Sequence, residues 1–384
     1  MADLCPRCGA PDVEGDKCAR CGVIASVYKA SLEKMRRPPT LPAAAPTVDY
    51  GAAPPPSSPA ATATAAWPLG GPSRGRKLTF HGSAGTLFGI HTVNILLTLV
   101  TLGFYRFWGK VKIRRYILSQ TAFEGDRFGY HGTGKELLLG FVKALLFVGL
   151  PIAALSWAGQ LTEDTLIQVG ARLLTSSLVM VFIPIAIVGA RRYRLSRTSW
   201  RGIRFSFRGR TRAFVKLFVR GWLLSGLTLS LYYPFFETNR HGFLVSHSYF
   251  GQRRLRFDGR GRDLFGPYLL ALLLLLPTLG FYWFWFQAKK ARYYWEHTAF
   301  ETARFRSTVT GRLLMNLTLS NVLLLLVTLG FAWPWVLVRS MRFAFAYVTI
   351  DGPLDLDGIV QEPQAASATG DALSNFFGAD VDLG

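Results

Sequence analysis

The sequence predicts a mainly α fold. It reads as a polytopic helical membrane protein built from repeated units of helix plus small β-hairpin, preceded by a small zinc ribbon and a disordered linker. Three observations carry this reading. Long uncharged apolar runs recur along the chain, one aromatic-to-basic phrase is repeated at their ends, and all four cysteines fall between Cys5 and Cys21.

The cysteines stand as "CPRCGAPDVEGDKCARCG", a C-x2-C-x9-C-x2-C spacing with Gly9 and Gly22 after the pairs. Two such knuckles set four thiolates tetrahedrally around Zn²⁺ at about 2.3 Å. With Cys5, Cys8, Cys18 and Cys21 all protein-supplied, the site is closed and structural rather than catalytic. So small a piece cannot bury enough apolar surface to fold unaided, so metal supplies the folding energy. Two disulfides would be the alternative in an oxidising compartment. The start "MADLCPRCGAPD" has neither the basic end nor the apolar core of a signal peptide. The first hydrophobic segment is therefore expected to direct insertion, and the zinc site to sit in the cytoplasm. Residues 26–37 read as a short helix. Residues 38–76 read as an extended Pro/Ala-rich linker, since ten of the 20 prolines fall in 38–72.

Beyond the linker the chain turns apolar. Half of its 384 residues are hydrophobic and only 17% are charged, against about 25% in ordinary soluble domains. A hydrocarbon core about 30 Å thick needs roughly 20 helical residues. About six spans are expected: 84–108, 137–158, 169–190, 213–236, 264–286 and 313–338. Buried helices of a soluble protein rarely lack charge on every face over such lengths. The net charge of +21 does not signal nucleic acid, because the bases cluster at the ends of apolar runs. There anionic lipid headgroups attract each by about 1 kcal/mol. No Lys or Arg follows Arg342, whereas seven acids do, so 353–384 reads as an acidic flexible tail.

The recurring phrase is "LVTLGFYRFWGKVKIRRY", "LLPTLGFYWFWFQAKKARYY" and "LVTLGFAWPWVLVRSMRF". Aromatics suit the hydrocarbon–headgroup boundary, with Lys and Arg just beyond. Gly103, Gly280 and Gly330 let the helix bend, and nearby Thr or Ser can satisfy the freed carbonyls. After each basic burst an aromatic precedes a turn, then an Arg directly precedes an apolar residue: Arg127–Phe128, Arg204–Phe205, Arg254–Leu255 and Arg304–Phe305. The period of two reads as a half-buried hairpin.

The stretches "TLGFYRFWGKVKIRRYILSQTAFEG", "YHGTGKELLLGF" and "TLGFYWFWFQAKKARYYWEHTAFE" resemble the YjgN-like family of bacterial inner-membrane proteins, a domain of unknown function. The resemblance covers residues 78–352. It implies a polytopic inner-membrane protein without assigned chemistry, to which the N-terminal knuckle is an addition.

Topology conflicts with simple alternation. Residues 109–136, 191–212 and 287–311 hold 6, 9 and 5 Lys/Arg, and six plain crossings from a cytoplasmic N-terminus would put all three outside. That opposes the positive-inside tendency. Either some runs are re-entrant or the hairpins alternate sides; a cytoplasmic place for most basic modules is expected.

For chemistry the sequence offers little. "GYHGTGKE" nearly matches a phosphate-binding loop, but Glu136 replaces the Mg²⁺-holding Ser/Thr, and the match is read as coincidence. No nucleophile–base or carboxylate pair can be argued, so no enzyme is expected. The candidate headgroup or substrate contacts are Lys110, Lys112, Arg114, Arg115, Arg127, Arg204, Arg254, Lys289, Lys290, Arg292 and Arg304. Asn94, Asn316 and Asn321 are the polar groups inside the spans, where hydrogen bonding between helices or lining of a pathway are the two roles. The expected partner is a bilayer with anionic headgroups, and nucleic acid is not expected. A transport or lipid-handling component is the first functional reading. A membrane-anchored scaffold or sensor, whose knuckle binds a cytoplasmic protein, is the second. The zinc reading predicts one zinc per purified chain by elemental analysis, lost in Cys8→Ser; a metal-free, folded N-terminus would contradict it.

Overall fold

The computed structural model describes residues 75–361 except 357, together with strands β1 (Val13–Glu14) and β2 (Lys17–Cys18). These two strands pair antiparallel, Val13 opposite Cys18. The side chains of Cys5, Cys8, Cys18 and Cys21, the 26–37 helix, the linker to residue 74 and the tail from 362 lie outside the described residues, and with them the expected zinc site. Met1–Leu69 and Gly70–Gly384 form separate units; the second holds all the remaining elements.

That unit repeats one order of elements. After β3 (Leu78–Phe80) come α1 (Ala84–Val100), α2 (Arg106–Ser119), β4 (Thr121–Phe123) and β5 (Asp126–Tyr130). Then come α3 (Gly134–Ala158), α4 (Thr165–Ser196), β6 (Thr198–Trp200) and β7 (Ile203–Phe207). The next set is α5 (Thr211–Leu227), α6 (Tyr233–Ser246), β8 (Ser248–Phe250) and β9 (Arg253–Phe257). It is succeeded by α7 (Gly261–Leu273), α8 (Trp283–Glu296), β10 (Thr298–Phe300) and β11 (Ala303–Ser307). The chain closes with α9 (Gly311–Val327), α10 (Trp333–Ala346) and β12 (Val348–Asp351).

Strands β3 to β12 form one antiparallel ten-stranded sheet in chain order. An antiparallel bridge between Arg76 and Ile350, with N···O distances of 2.9 and 2.8 Å, joins its two ends. This barrel-like sheet corrects the expected fold class: the chain is not a simple helical membrane protein carrying separate small hairpins. A two-stranded hairpin leaves two unpaired edges, and each edge here is satisfied by its neighbour, as where Phe128 faces Trp200 and Phe205 faces Phe250. Period-two alternation specifies each hairpin but says nothing of which edge meets which.

The helices pack in the same cyclic order. α10 returns to α1, where Phe88 meets Trp335 at 5.0 Å, His91 stacks on Trp333 at 4.8 Å, and Arg342 Nη2 donates to Gly82 O at 2.9 Å. Close approach between units depends on glycine. A Cβ at Gly134, Gly261 or Gly311 would strike Trp108, Phe235 or Trp285 respectively.

Two described helices are long and apolar enough to cross a membrane, α3 with 25 residues and α4 with 32. They contain the expected spans 137–158 and 169–190. A π-turn at Leu145–Gly149 precedes Pro151 in α3, the ladder defect a missing proline N–H invites. The other four expected spans are not single helices. Each folds back on itself, at Thr101–Tyr105, Thr228–Tyr232, between Leu273 and Trp283, and at Thr328–Ala332.

The fold-back has a local cause. Gly103, Gly280 and Gly330 sit at φ of +94°, +82° and +89°, each preceded by a leucine near +48°. Gly103 N–H donates to Thr98 O at 2.7 Å, the 6→1 bond of a Schellman cap. Thr101, Thr228, Thr278 and Thr328 then work in both directions. The Thr278 hydroxyl donates to Leu274 O at 2.6 Å and accepts from Tyr282 N at 3.1 Å; the other three repeat this. The tips themselves are apolar, with Leu102, Leu229, Leu279 and Leu329 between 86% and 90% exposed. Thr278→Val keeps the shape and strands the Tyr282 N–H donor, while Leu274 O keeps the Thr278 N–H at 3.1 Å. It should lower unfolding free energy in detergent by about 1–3 kcal/mol, whereas Thr278→Ser should approach wild type.

Candidate functional site

The sheet places one arginine of each complete hairpin at the same register. Arg127, Arg204, Arg254 and Arg304 pair opposite Ala122, Ser199, Tyr249 and Ala299. All four are exposed on the outer wall of the barrel. Acids lie between them: Arg304 Nη2 donates to Asp258 at 2.8 Å, Arg253 meets Glu301 and Arg201 meets Asp126, each at 2.5 Å. Arg208 lies 4.3 Å over the Tyr249 ring. The positive field is felt by His131, whose pKa is lowered first by burial and then by Arg204, Arg115 and Arg197. Its Nε2 lies 2.8 Å from Ser199 Oγ.

The alternate positions point inward. Five cross-strand pairs line the lumen: Leu78–Phe123, Phe128–Trp200, Phe205–Phe250, Leu255–Phe300 and Phe305–Ile350. They enclose an apolar cavity of about 200 Å³. Leu354, Leu356 and Ile359 pack against this cluster, so the first part of the expected flexible tail is instead a stopper. Thr302 Oγ1 donates to Pro353 O at 2.8 Å, and Arg204 N donates to Gln361 Oε1 at 2.5 Å. The barrel is a plugged apolar chamber inside a basic girdle.

The helical candidates divide by face. Lys112, Arg115 and Lys289 are exposed, and Lys112 Nζ approaches Tyr105 OH at 2.5 Å. Lys110, Arg114, Lys290 and Arg292 are half-buried, and Arg114 Nη1 donates to Tyr130 OH at 3.4 Å. Asn94 Nδ2 donates to Gly109 O at 3.3 Å, tying α1 to α2, and Asn321 Nδ2 to Ser340 Oγ at 3.3 Å, tying α9 to α10. Asn316 is exposed. Glu136, the residue that breaks the near phosphate-loop match, accepts from Tyr193 OH at 2.9 Å and Arg197 Nη2 at 2.7 Å. Thr133 caps that helix, accepting from Glu136 N at 3.3 Å.

Sequence reasoning missed Arg191, Glu237, Arg240 and His241. Arg240 donates to both Glu237 oxygens at 2.8 and 2.9 Å. His241 stacks on Tyr294 at 4.2 Å. Superposing the repeats on Thr121, Thr198, Ser248 and Thr298 was the signal available, since it sets Glu237 against Lys110 and His241 against Arg114. Among the described residues no group of three or more His, Cys, Asp or Glu could hold a metal.

The class so defined is a ring of helical hairpins on a plugged, arginine-girdled barrel. The chain belongs to the family described as "Bacterial protein of unknown function (DUF898)", whose model matches residues 76–281 and 268–376. It is 37% identical over 128 residues to "Inner membrane protein YjgN" of Escherichia coli O157:H7, covering 33% of this chain and 30% of that relative. The protein of the same name from E. coli K12 matches equally. That of Salmonella typhimurium LT2 is 36% identical over 130 residues, 34% of this chain and 31% of the relative. The matched stretch thus spans about a third of these relatives' length. No solved structure matches.

Burying one leucine contributes about 1.5–3 kcal/mol, so Leu356→Asp should release the stopper. Limited digestion with proteinase K should then trim the C-terminal segment at least tenfold faster than in wild type.

Proposed function

We propose that this chain is a multi-pass inner-membrane protein whose barrel and basic girdle lie on the cytoplasmic face, where it acts as a transport or lipid-handling component of that leaflet. One observation carries the reading: every helical hairpin leaves and re-enters the same closed sheet. All basic hairpins therefore share one side, and the charge conflict of simple alternation dissolves.

Helix lengths support the placement. The 17 residues of α1, α5 and α9 reach about 25 Å at 1.5 Å per residue, short of a core about 30 Å thick. Their leucine tips end within hydrocarbon, where the doubly bonded threonines leave no stranded backbone group. Helices α3 and α4 reach about 38 and 48 Å. They cross, carrying the uncompensated acids Glu163 and Asp164 to the periplasm. The relatives' name, "Inner membrane protein YjgN", supports an inner-membrane location.

The girdle arginines Arg127, Arg204, Arg254 and Arg304 then meet anionic headgroups, each attracted by about 1 kcal/mol. Zn²⁺ on Cys5, Cys8, Cys18 and Cys21 would be held structurally on the same reduced side, giving a cytoplasmic protein partner a surface to read. In intact cells a membrane-impermeant maleimide should label Glu163→Cys but not Arg201→Cys or Lys289→Cys. Periplasmic labelling of the latter two would overturn the placement.

A further inference from the structure

Each of the five helices that arrive at the sheet ends just before a fixed strand residue: Thr121, Thr198, Ser248, Thr298 or Val348. Counting back seven positions gives Arg114, Arg191, His241, Ala291 and Met341; counting back eleven gives Lys110, Ile187, Glu237, Gln287 and Leu337. Two and three helical turns separate these from the sheet, so they share one face. Counting back nine instead gives, in four of the five, Lys112, Asn239, Lys289 and Arg339, all exposed, which marks the opposite face as outer.

The first face meets the neighbouring arriving helix. His241 stacks on Tyr294 of the next arriving helix, and the Thr238 hydroxyl lies 3.4 Å from Tyr294 OH. Arg191 Nη2 donates to Ser248 Oγ, at the foot of the next hairpin, at 3.4 Å. Lys290 stands one helical turn before Tyr294, and Glu237 one turn before His241; with His241 stacked on Tyr294 and Arg191 reaching Ser248, these groups form one cluster.

Its charges do not balance. Glu237 is engaged by Arg240 through two hydrogen bonds. Arg191 and Lys290 remain, and neither forms an ion pair with a carboxylate among the described residues. Arg191 Nε is buried and meets no acceptor there. Arg191 and Lys290 are half-buried, and a cation that gives up part of its water is ordinarily paired, because desolvation without a counter-charge is unfavourable. Arginine's planar fork and lysine's point charge both favour phosphate oxygens, and the Tyr294 hydroxyl adds a polar group able to donate.

We propose that this inter-helix cluster of Arg191, Arg240, His241 and Lys290 binds a phosphate oxyanion, with Glu237 competing for Arg240 until the anion arrives. The phosphate belongs either to a lipid headgroup entering from the leaflet or to free phosphate. The proposal deepens the lipid-handling reading and rests on it only for membrane placement.

The test uses the full-length, detergent-solubilised protein and isothermal titration calorimetry. One arm titrates inorganic phosphate; the other titrates short-chain phosphatidylglycerol against short-chain phosphatidylcholine. Binding in either arm, weakened at least tenfold by Lys290→Gln and tightened by Glu237→Gln, supports the cluster, and the arm that responds names the source. A tightening is what a merely structural role for Glu237 would not give. Arg191→Gln should weaken binding too; should it fail to fold, the other two variants still decide. Arg304→Gln, on the outer girdle, should leave this binding unchanged while reducing association with anionic vesicles. Loss in Arg304→Gln but not Lys290→Gln, or no binding in both arms, overturns the cluster while leaving the girdle reading intact.

Discussion

Closure of the sheet is the constraint on which everything else depends. The bridge from Arg76, just before the first strand, to Ile350 in the last brings the two ends of the sheet together and nearly closes it. Once ten short strands share one barrel, ten helices must rise from a single rim. Their return points, the common side of their basic residues and the inward face of their second members are consequences of that geometry. Strands of three to five residues would be marginal as isolated hairpins. The register-matched aromatic pairs, such as Phe205–Phe250 at 4.8 Å, make the ring cohere.

The second constraint lies at the helix tips. The four exposed apolar turns satisfy their own donors and acceptors with one threonine each, as turns placed in lipid would have to. That hydroxyl closes the outgoing helix and opens the returning one, and the positive-φ residue after each leucine, glycine at three tips and Ser230 at the fourth, completes a turn that needs no water. Leucines at positive φ, costing about 1–2 kcal/mol each, show how strongly the surrounding cap fixes the turn. The loop between α3 and α4 instead carries Gln160, Thr162, Glu163 and Asp164, the composition of a segment that meets water.

Much of this was legible in the residues. Each hairpin announced itself through an Arg–apolar alternation, three of the four tips through Thr-Leu-Gly, with Thr228-Leu229-Ser230 at the fourth, and the family through its repeated phrases. The apolar runs were visible as well, yet uncharged length cannot distinguish one long helix from two short ones joined at a turn. That distinction rests on φ at Leu102 and Gly103, which the letters "TLG" encode only once the cap is seen. The merging of hairpins into a barrel was not legible, because it depends on pairings between units and not within them. The candidate bases were found as one class, since a helix burst shows periodicity without an axis to measure it from. Only the ring separates outward Lys112 from inward Lys110. Glu237 and His241 escaped notice because "TNRHGF" departs from the other copies, and divergence from a repeat looks like noise until its position is known.

The seam at Arg76 and Ile350 also orders assembly in time. During synthesis β3 emerges early but its outer edge has no partner until some 270 residues later, when β12 leaves the ribosome. Throughout that interval the growing arc exposes two open strand edges and an incomplete aromatic lumen, the features that invite mispairing between chains. Insertion of each apolar hairpin into lipid as it appears would hold the arc apart from its neighbours. Locking of the ring comes only with its final strand.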